Sequence, residues 1–261
     1  MAGEFTEEFV DVGGTKIHMM SGGSGEPLVI LHGAGGNAGW LRYVQALSER
    51  YTVYIPSHPG YGQSERPEWL ETMADMTSFY TWFLEQRGLE GSRAIGFSMG
   101  GWLAAEIAVN CRHAFSKLML VDAVGIKPQQ GEITDIFIIS PAEVTALNFH
   151  DPKQAPEYDQ LYGQTPTPEQ VATAEGNREM TVRLCWKPYM YDLRLPQLLG
   201  RVNIPTRIVW GREDQIVPAE CAQLYHQAIP GSDLVFIDNC GHVPQVEKPD
   251  EFVKTALEFM A

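Results

Sequence analysis

The sequence predicts an α/β fold: a mainly parallel, doubly wound sheet, interrupted by a helical insertion. Three observations carry that reading. Short, wholly apolar runs alternate with segments of helical spacing, and those runs end in glycine-rich or polar turns. The alternation also stops from about 124 to 199 and then resumes.

Each element has its own signal. Phe9–Val12 and Lys16–Met20, joined at Gly13-Gly14, read as an opening hairpin. Leu28–Leu31 is an apolar strand running into His32-Gly33-Ala34-Gly35-Gly36. Trp40–Leu47 has helical spacing, and Tyr51–Ile55 is the next strand, ending at Pro59-Gly60-Tyr61-Gly62. Met73–Arg87 is a helix closed by Gly88. Arg93–Gly96 is a brief strand, followed by an Ala- and Gly-rich helix over Met99–Val109, and Leu118–Val121 is another strand.

Inside the insertion, Thr167-Pro168-Glu169-Gln170 carries a threonine N-cap, a proline at the first helical position and a glutamine where a capping box wants it. Ile133, Ile136 and Phe137 share the spacing of one helical face. Beyond it come the strand Thr206–Trp210, a helix after Pro218, the strand Leu234–Ile237 and a closing helix after Pro249. That last helix aligns Phe252, Val253, Ala256, Leu257 and Met260. The expected division is a core of 1–123 and 200–261 with an insertion of 124–199.

Bulk properties narrow the function. With 44% hydrophobic and 20% charged residues, the chain is of globular type with a sizeable core. A net charge of −14 argues against nucleic acid or an anionic membrane as partner, because the long-range field repels both. The first twelve residues carry Glu4, Glu7 and Glu8 in place of a basic, apolar leader, and no run is long and apolar enough to span a bilayer. Cys111, Cys185, Cys221 and Cys240 are scattered without metal-ligand spacing, so free thiols and a cytoplasmic location are expected.

The chemistry centres on Gly96-Phe97-Ser98-Met99-Gly100, a G-x-S-x-G motif between a strand and a helix. A turn that sharp strains the serine and demands small flanking residues. In return, its Oγ is exposed with a helix N-terminus behind it. A serine hydroxyl needs a hydrogen-bonded base. Of seven histidines, His242 stands out, because Asn239-Cys240-Gly241-His242 follows a strand as a loop at a sheet's C-terminal edge should. Asp214, after Thr206–Trp210, is the preferred acid, giving the chain order Ser–Asp–His. Asp122, at the end of Leu118–Val121, is its rival, able to reach the same histidine or to tie down strand-end amides; Glu213 is the weaker neighbour.

The glycine-rich loop after Leu31 supplies one backbone donor to an oxyanion, assigned to Ala34 with Gly35 next; the residue after the nucleophile, Met99, supplies the other. His32 is expected to brace this loop. Gly33-Ala34-Gly35-Gly36-Asn37-Ala38 also satisfies a dinucleotide fingerprint, but the next strand ends Ile55-Pro56-Ser57-His58, without the carboxylate a ribose requires.

These segments resemble the α/β-hydrolase superfamily over nearly the whole chain. The likeness rests on His32-Gly33, Pro59-Gly60-Tyr61-Gly62-Gln63-Ser64, Gly96-Phe97-Ser98-Met99-Gly100-Gly101, Trp210-Gly211-Arg212-Glu213-Asp214 with Val217-Pro218, and Gly241-His242 with Glu247-Lys248-Pro249. It implies that the insertion is a helical cap. Dehalogenases and epoxide hydrolases of the superfamily carry aspartate in place of Ser98. Its carbon–carbon bond hydrolases usually have asparagine at the position of Phe97 and tryptophan at that of Val243. Ser57 stands where relatives often have aspartate.

The resemblance therefore implies hydrolysis of small to medium, mostly apolar carboxylic esters through an acyl-enzyme, with lactone opening as the close alternative and carbon–carbon bond hydrolysis as a further one. A ligand-binding receptor on the same fold is the non-enzyme alternative. No metal or organic cofactor is called for. Phe137, Trp186, Tyr189 and Val243 are the candidate substrate contacts, set against the plainer reading that such apolar residues pack a cap onto its core.

Overall fold

The computed structural model describes residues 5–261. Along the chain run β1 (Phe5–Val12), β2 (Thr15–Gly23), β3 (Glu26–Leu31), α1 (Arg42–Ser48), β4 (Tyr51–Pro56), α2 (Met73–Arg87), β5 (Ser92–Phe97), α3 (Met99–Asn110) and β6 (Phe115–Val121). Then come α4 (Pro141–Asn148), α5 (Tyr158–Tyr162), α6 (Pro168–Cys185), α7 (Leu195–Leu198), β7 (Thr206–Gly211), α8 (Glu220–Ala228), β8 (Asp233–Ile237), α9 (Pro244–Glu247) and α10 (Pro249–Met260).

The strands form one sheet in the order β1-β2-β4-β3-β5-β6-β7-β8. The pairs β1–β2 and β2–β4 are antiparallel and the others parallel, as the sequence predicts. Burial of both faces explains the unbroken apolar runs. Val29, Leu31, Ala94, Leu118, Leu120, Ile208 and Trp210 join the core beneath α2, α3 and α8. Their alternating neighbours Leu28, Ile30, Ile95, Met119, Val121 and Val209 join a second core beneath α1 and α10. The α10 stripe is confirmed: Phe252, Ala256 and Met260 are fully buried.

Between β6 and β7 the described residues form helices and loops, with a single isolated bridge, Gly125–Tyr191. At the head of α6, Thr167 Oγ1 accepts the Gln170 N–H at 3.2 Å while Gln170 Oε1 accepts the Thr167 N–H at 2.8 Å. One expectation fails. Ile133, Ile136 and Phe137 lie in an irregular segment, not on a helix. Thr134 is bonded through N–H and Oγ1 to the carbonyls of Ile216 and Gln215, and the Ile136 N–H donates to the Tyr189 hydroxyl. These tertiary bonds take up the groups that helical bonding would need. Trp40 likewise lies outside α1, stacked on Phe5 at 4.9 Å. All four cysteines are free. Among the described residues, no helix is long and apolar enough to cross a membrane.

Candidate active site

The chain passes from β3 to β4 on one side and then to β5 on the other, so the winding reverses between β3 and β5. The crevice beyond the C-terminal ends of such strands is where open α/β sheets bind ligands. Leu31 pairs with Gly96 at the ends of these two strands, so the loops His32–Gly36 and Phe97–Met99 emerge side by side.

Ser98 adopts φ 50°, ψ −114°, the strained turn expected of the motif. Its N–H donates to Val121 O at 2.9 Å, and its own carbonyl accepts from Gly101 and Trp102, starting α3. The flanking glycines are required by space. A Cβ on Gly96 would lie 2.4 Å from Gly100 O, and one on Gly100 only 2.2 Å from Leu31 O. Backbone cannot yield there, so Gly100→Ala should destabilise the protein by roughly 3 kcal/mol or more. Urea denaturation monitored by circular dichroism measures it.

His242 and Asp214 meet the serine from the next strand ends. His242 Nε2 is 3.0 Å from Ser98 Oγ and Nδ1 is 2.8 Å from Asp214 Oδ2. Asp214 Oδ1 accepts the N–H groups of Ile216 at 2.7 Å and Val217 at 3.0 Å, so the carboxylate is held on both oxygens. With Nδ1–H donated to Asp214, Nε2 is left as the acceptor for the serine proton. The Asp214 side chain is completely shielded from solvent, which strengthens the interaction.

Asp122 does tie down a strand end: its Oδ1 accepts the Gly211 N–H at 2.9 Å. Its other oxygen is buried without a donor among the described residues. Burial, then the Asp214 carboxylate, pushes the Asp122 carboxyl well above the ordinary range, because two buried neighbours cannot both ionise. Asp122→Asn keeps an acceptor for Gly211 and a donor toward Asp214. Turnover and its pH profile should therefore stay close to those of the unaltered chain, whereas removal of an ionised Asp122 would lower the acid limb. Asp122, Asp214 and His242 place ligand atoms within 4.8 Å of one another. A cation there would have to displace the His242–Asp214 bond, since those two atoms face each other. Glu213 braces the loop instead, its Oε2 accepting the Cys240 N–H at 2.9 Å.

The Ala34 and Met99 amides take no protein acceptor among the described residues. A Cβ on Gly33 would stand 3.2 Å from Ser98 Cβ, so the loop passes directly beside the serine. His32 braces it as expected: Nδ1–H donates to Gly33 O at 2.8 Å, and Nε2 accepts the His58 N–H at 2.9 Å. Since a trans peptide's C=O and N–H point in opposite directions, holding Gly33 O aims the Ala34 N–H. His58 in turn bonds His32 O at 2.9 Å and the Tyr80 hydroxyl at 2.5 Å.

Both rings are fully buried. Burial lowers His32 from the ordinary 6.5 to about 4, and burial with the neighbouring His32 lowers His58 well below the ordinary value. The unfolded chain therefore binds more protons as pH falls from 6.5 to about 4, and stability falls with it. His32 alone contributes on the order of 3 kcal/mol across that window. Thermal melts as a function of pH should show this loss, and His32→Asn should flatten it.

The four candidate substrate contacts do not form one group. Phe137, Trp186 and Tyr189 cluster, with ring centroids 5.6–6.4 Å apart, and Trp186 is half exposed. Val243 packs with the other core, alongside Trp40 and Tyr158. A further residue of the site, without an expected role from the sequence, is Glu247. It is fully buried, and its carboxylate accepts the N–H groups of Gly241 at 2.7 Å, Asp151 at 2.6 Å and His150 at 3.2 Å, fixing the His242 loop. Its position in Gly241-His242…Glu247-Lys248-Pro249 was the available signal.

The family model described as the alpha/beta hydrolase fold matches residues 26–249. The chain belongs to the α/β-hydrolase fold family. This α/β hydrolase is 29% identical, over 94% of its length, to the dihydrolipoyllysine-residue acetyltransferase component of the acetoin cleaving system of Cupriavidus necator, and spans 66% of that protein. It is 23% identical over 98% of its length to 2-hydroxy-6-oxo-6-(2'-aminophenyl)hexa-2,4-dienoic acid hydrolase of Metapseudomonas resinovorans, spanning 91% of it. An esterase from Exiguobacterium antarcticum superposes with a TM-score of 0.72 at 27% identity, covering 98% of this chain and 99% of that one. Membership of this hydrolase family implies a small-molecule substrate for the α/β hydrolase described here.

Proposed function

We propose that this α/β hydrolase cleaves carboxylic esters of small to medium, mostly apolar acids, with Ser98 as nucleophile, His242 as base and Asp214 as the orienting acid. The observation that carries the reading is the unbroken hydrogen-bond chain from Ser98 Oγ through His242 to Asp214. Ser98 Oγ bonds to the ester carbonyl carbon while its proton passes to His242 Nε2. The amides of Ala34 and Met99 receive the oxyanion. As the tetrahedral species collapses, the ester C–O bond breaks and His242 returns the proton to the departing alkoxide. A water then attacks the acyl carbon while giving a proton to His242; the acyl carbon–Oγ bond breaks, His242 returns that proton to Ser98 Oγ, and the acid is released.

The helices between β6 and β7 serve in this reading as a cap over the crevice, and the Phe137–Trp186–Tyr189 cluster as its apolar wall. Lactone opening uses the same acyl chemistry and is the close variant. The name of the Metapseudomonas relative favours carbon–carbon bond hydrolysis as a second reading, but Phe97 and Val243 depart from the residues that activity usually accompanies. A panel of p-nitrophenyl esters of increasing acyl length, run beside lactones followed by acid release, tests the assignment. Turnover should be best with short to medium acyl chains; activity on a dienone carbon–carbon substrate alone would overturn it.

A further inference from the structure

Cap helix α6 reaches the oxyanion loop with polar side chains that are almost wholly buried. Asn177 and Thr181, one turn apart on the same face, are 7% and 1% exposed. Asn177 Nδ2 donates to Gly35 O at 2.9 Å, while its Oδ1 accepts the Gly62 N–H at 2.8 Å. The Thr181 hydroxyl lies 3.1 Å from Ala34 O, 2.8 Å from Asn177 O and 2.8 Å from the Tyr61 hydroxyl. Tyr61 O–H also lies 3.3 Å from Met99 Sδ, so this cluster touches both residues whose amides face the oxyanion. The loop is shaped to admit the helix. Gly36 has φ +95°, and a Cβ there would stand 2.4 Å from Asn177 Nδ2.

We infer that Asn177 and Thr181 are positioning residues of the oxyanion hole, so that α6 is part of the catalytic framework rather than a movable cover. The connectivity gives the reason. Gly35 O and the Gly36 N–H belong to one peptide plane, and that N–H donates to Gly33 O at 3.1 Å. Gly33 O shares its plane with the Ala34 N–H. Three donors therefore line up head to tail: Asn177 Nδ2–H on Gly35 O, Gly36 N–H on Gly33 O, and Ala34 N–H on the oxyanion. Each bond fixes and polarises the next. Thr181 holds the intervening plane through Ala34 O. His32 secures the loop from the sheet side, and α6 secures it from the other.

The inference rests on the acyl-transfer reading through the role of the Ala34 amide, so its test is chosen to fail separately. A fluorophosphonate places its phosphoryl oxygen where the oxyanion would sit and labels Ser98 whatever the natural substrate. Loss of a whole donor slows chemistry about a hundred- to a thousandfold. Loosening one should slow labelling by roughly tenfold in Thr181→Val and in Asn177→Leu, with the concentration for half-maximal rate little changed, while Thr181→Ser labels as the unaltered chain does. Hydrogen–deuterium exchange over the 32–37 peptide, which needs no reactive serine, should quicken in the first two variants and not in the third. Unaltered protein that resists labelling would remove the acyl-transfer reading and leave exchange to judge the clamp. Unchanged labelling and exchange in Thr181→Val would overturn the clamp and leave the triad standing.

Discussion

Ser98→Ala is expected to lower ester turnover by about 10⁴-fold or more while leaving the melting temperature close to that of the unaltered chain. The size follows from the loss of the bond-forming atom: with Oγ gone, only direct attack by water remains, helped by the oxyanion amides. The fold should survive because, among the described residues, Oγ makes no side-chain hydrogen bond beyond the one to His242. Alanine tolerates the strained φ of 50° about as poorly as serine does, so the backbone is no worse off. Initial rates with a p-nitrophenyl ester, alongside a thermal melt, check both halves. A folded variant with comparable turnover would mean that another group attacks the substrate.

Asp214→Asn should come second, lowering kcat by about 10⁴-fold with little change in KM. An amide at this position presents an N–H to His242 Nδ1, which selects the tautomer whose proton sits on Nε2. That proton then faces Ser98 Oγ, and the base cannot accept from it. The geometry otherwise persists, since the amide oxygen can still take the N–H groups of Ile216 and Val217. Asp122 should not substitute for the lost acid. Its Oδ1 is committed to Gly211 and its carboxyl favours the protonated form. If Asp214→Asn retained more than a few per cent of turnover, the orienting role would belong to another carboxyl.

Much of this was legible in the chain because the constraints are local. A strand buried on both faces shows as a short apolar run, as Leu28–Leu31 and Leu118–Val121 do. The elbow announces itself because Gly96 and Gly100 must lie against backbone, a demand that one residue type meets. Asp214 and His242 could be picked out from other acids and histidines because each follows such a run. Contacts made over long separations left no comparable mark. Asn177 and Thr181 sit in a helix whose sequence reads as a solvated surface, and their partners in the oxyanion loop are about 140 residues earlier. Glu247 grips His150 and Asp151 across nearly a hundred residues. The segment holding Ile133, Ile136 and Phe137 shows the converse: its spacing suits a helix, but bonds to Gln215, Ile216 and Tyr189 decide its shape. The exposed Trp186 beside Phe137 could not be told from a core aromatic by spacing alone.

Ester cleavage by this mechanism passes the acyl group through the oxygen of residue 98. Rapid acid quench of a reaction with a slowly deacylating p-nitrophenyl ester, followed by peptide mass mapping, examines that oxygen directly. A burst of nitrophenol approaching one equivalent per chain is expected, with an acyl mass increment on the peptide spanning Gly96–Gly100. Ester turnover accompanied by an adduct on some other side chain, with that peptide unmodified, would contradict it.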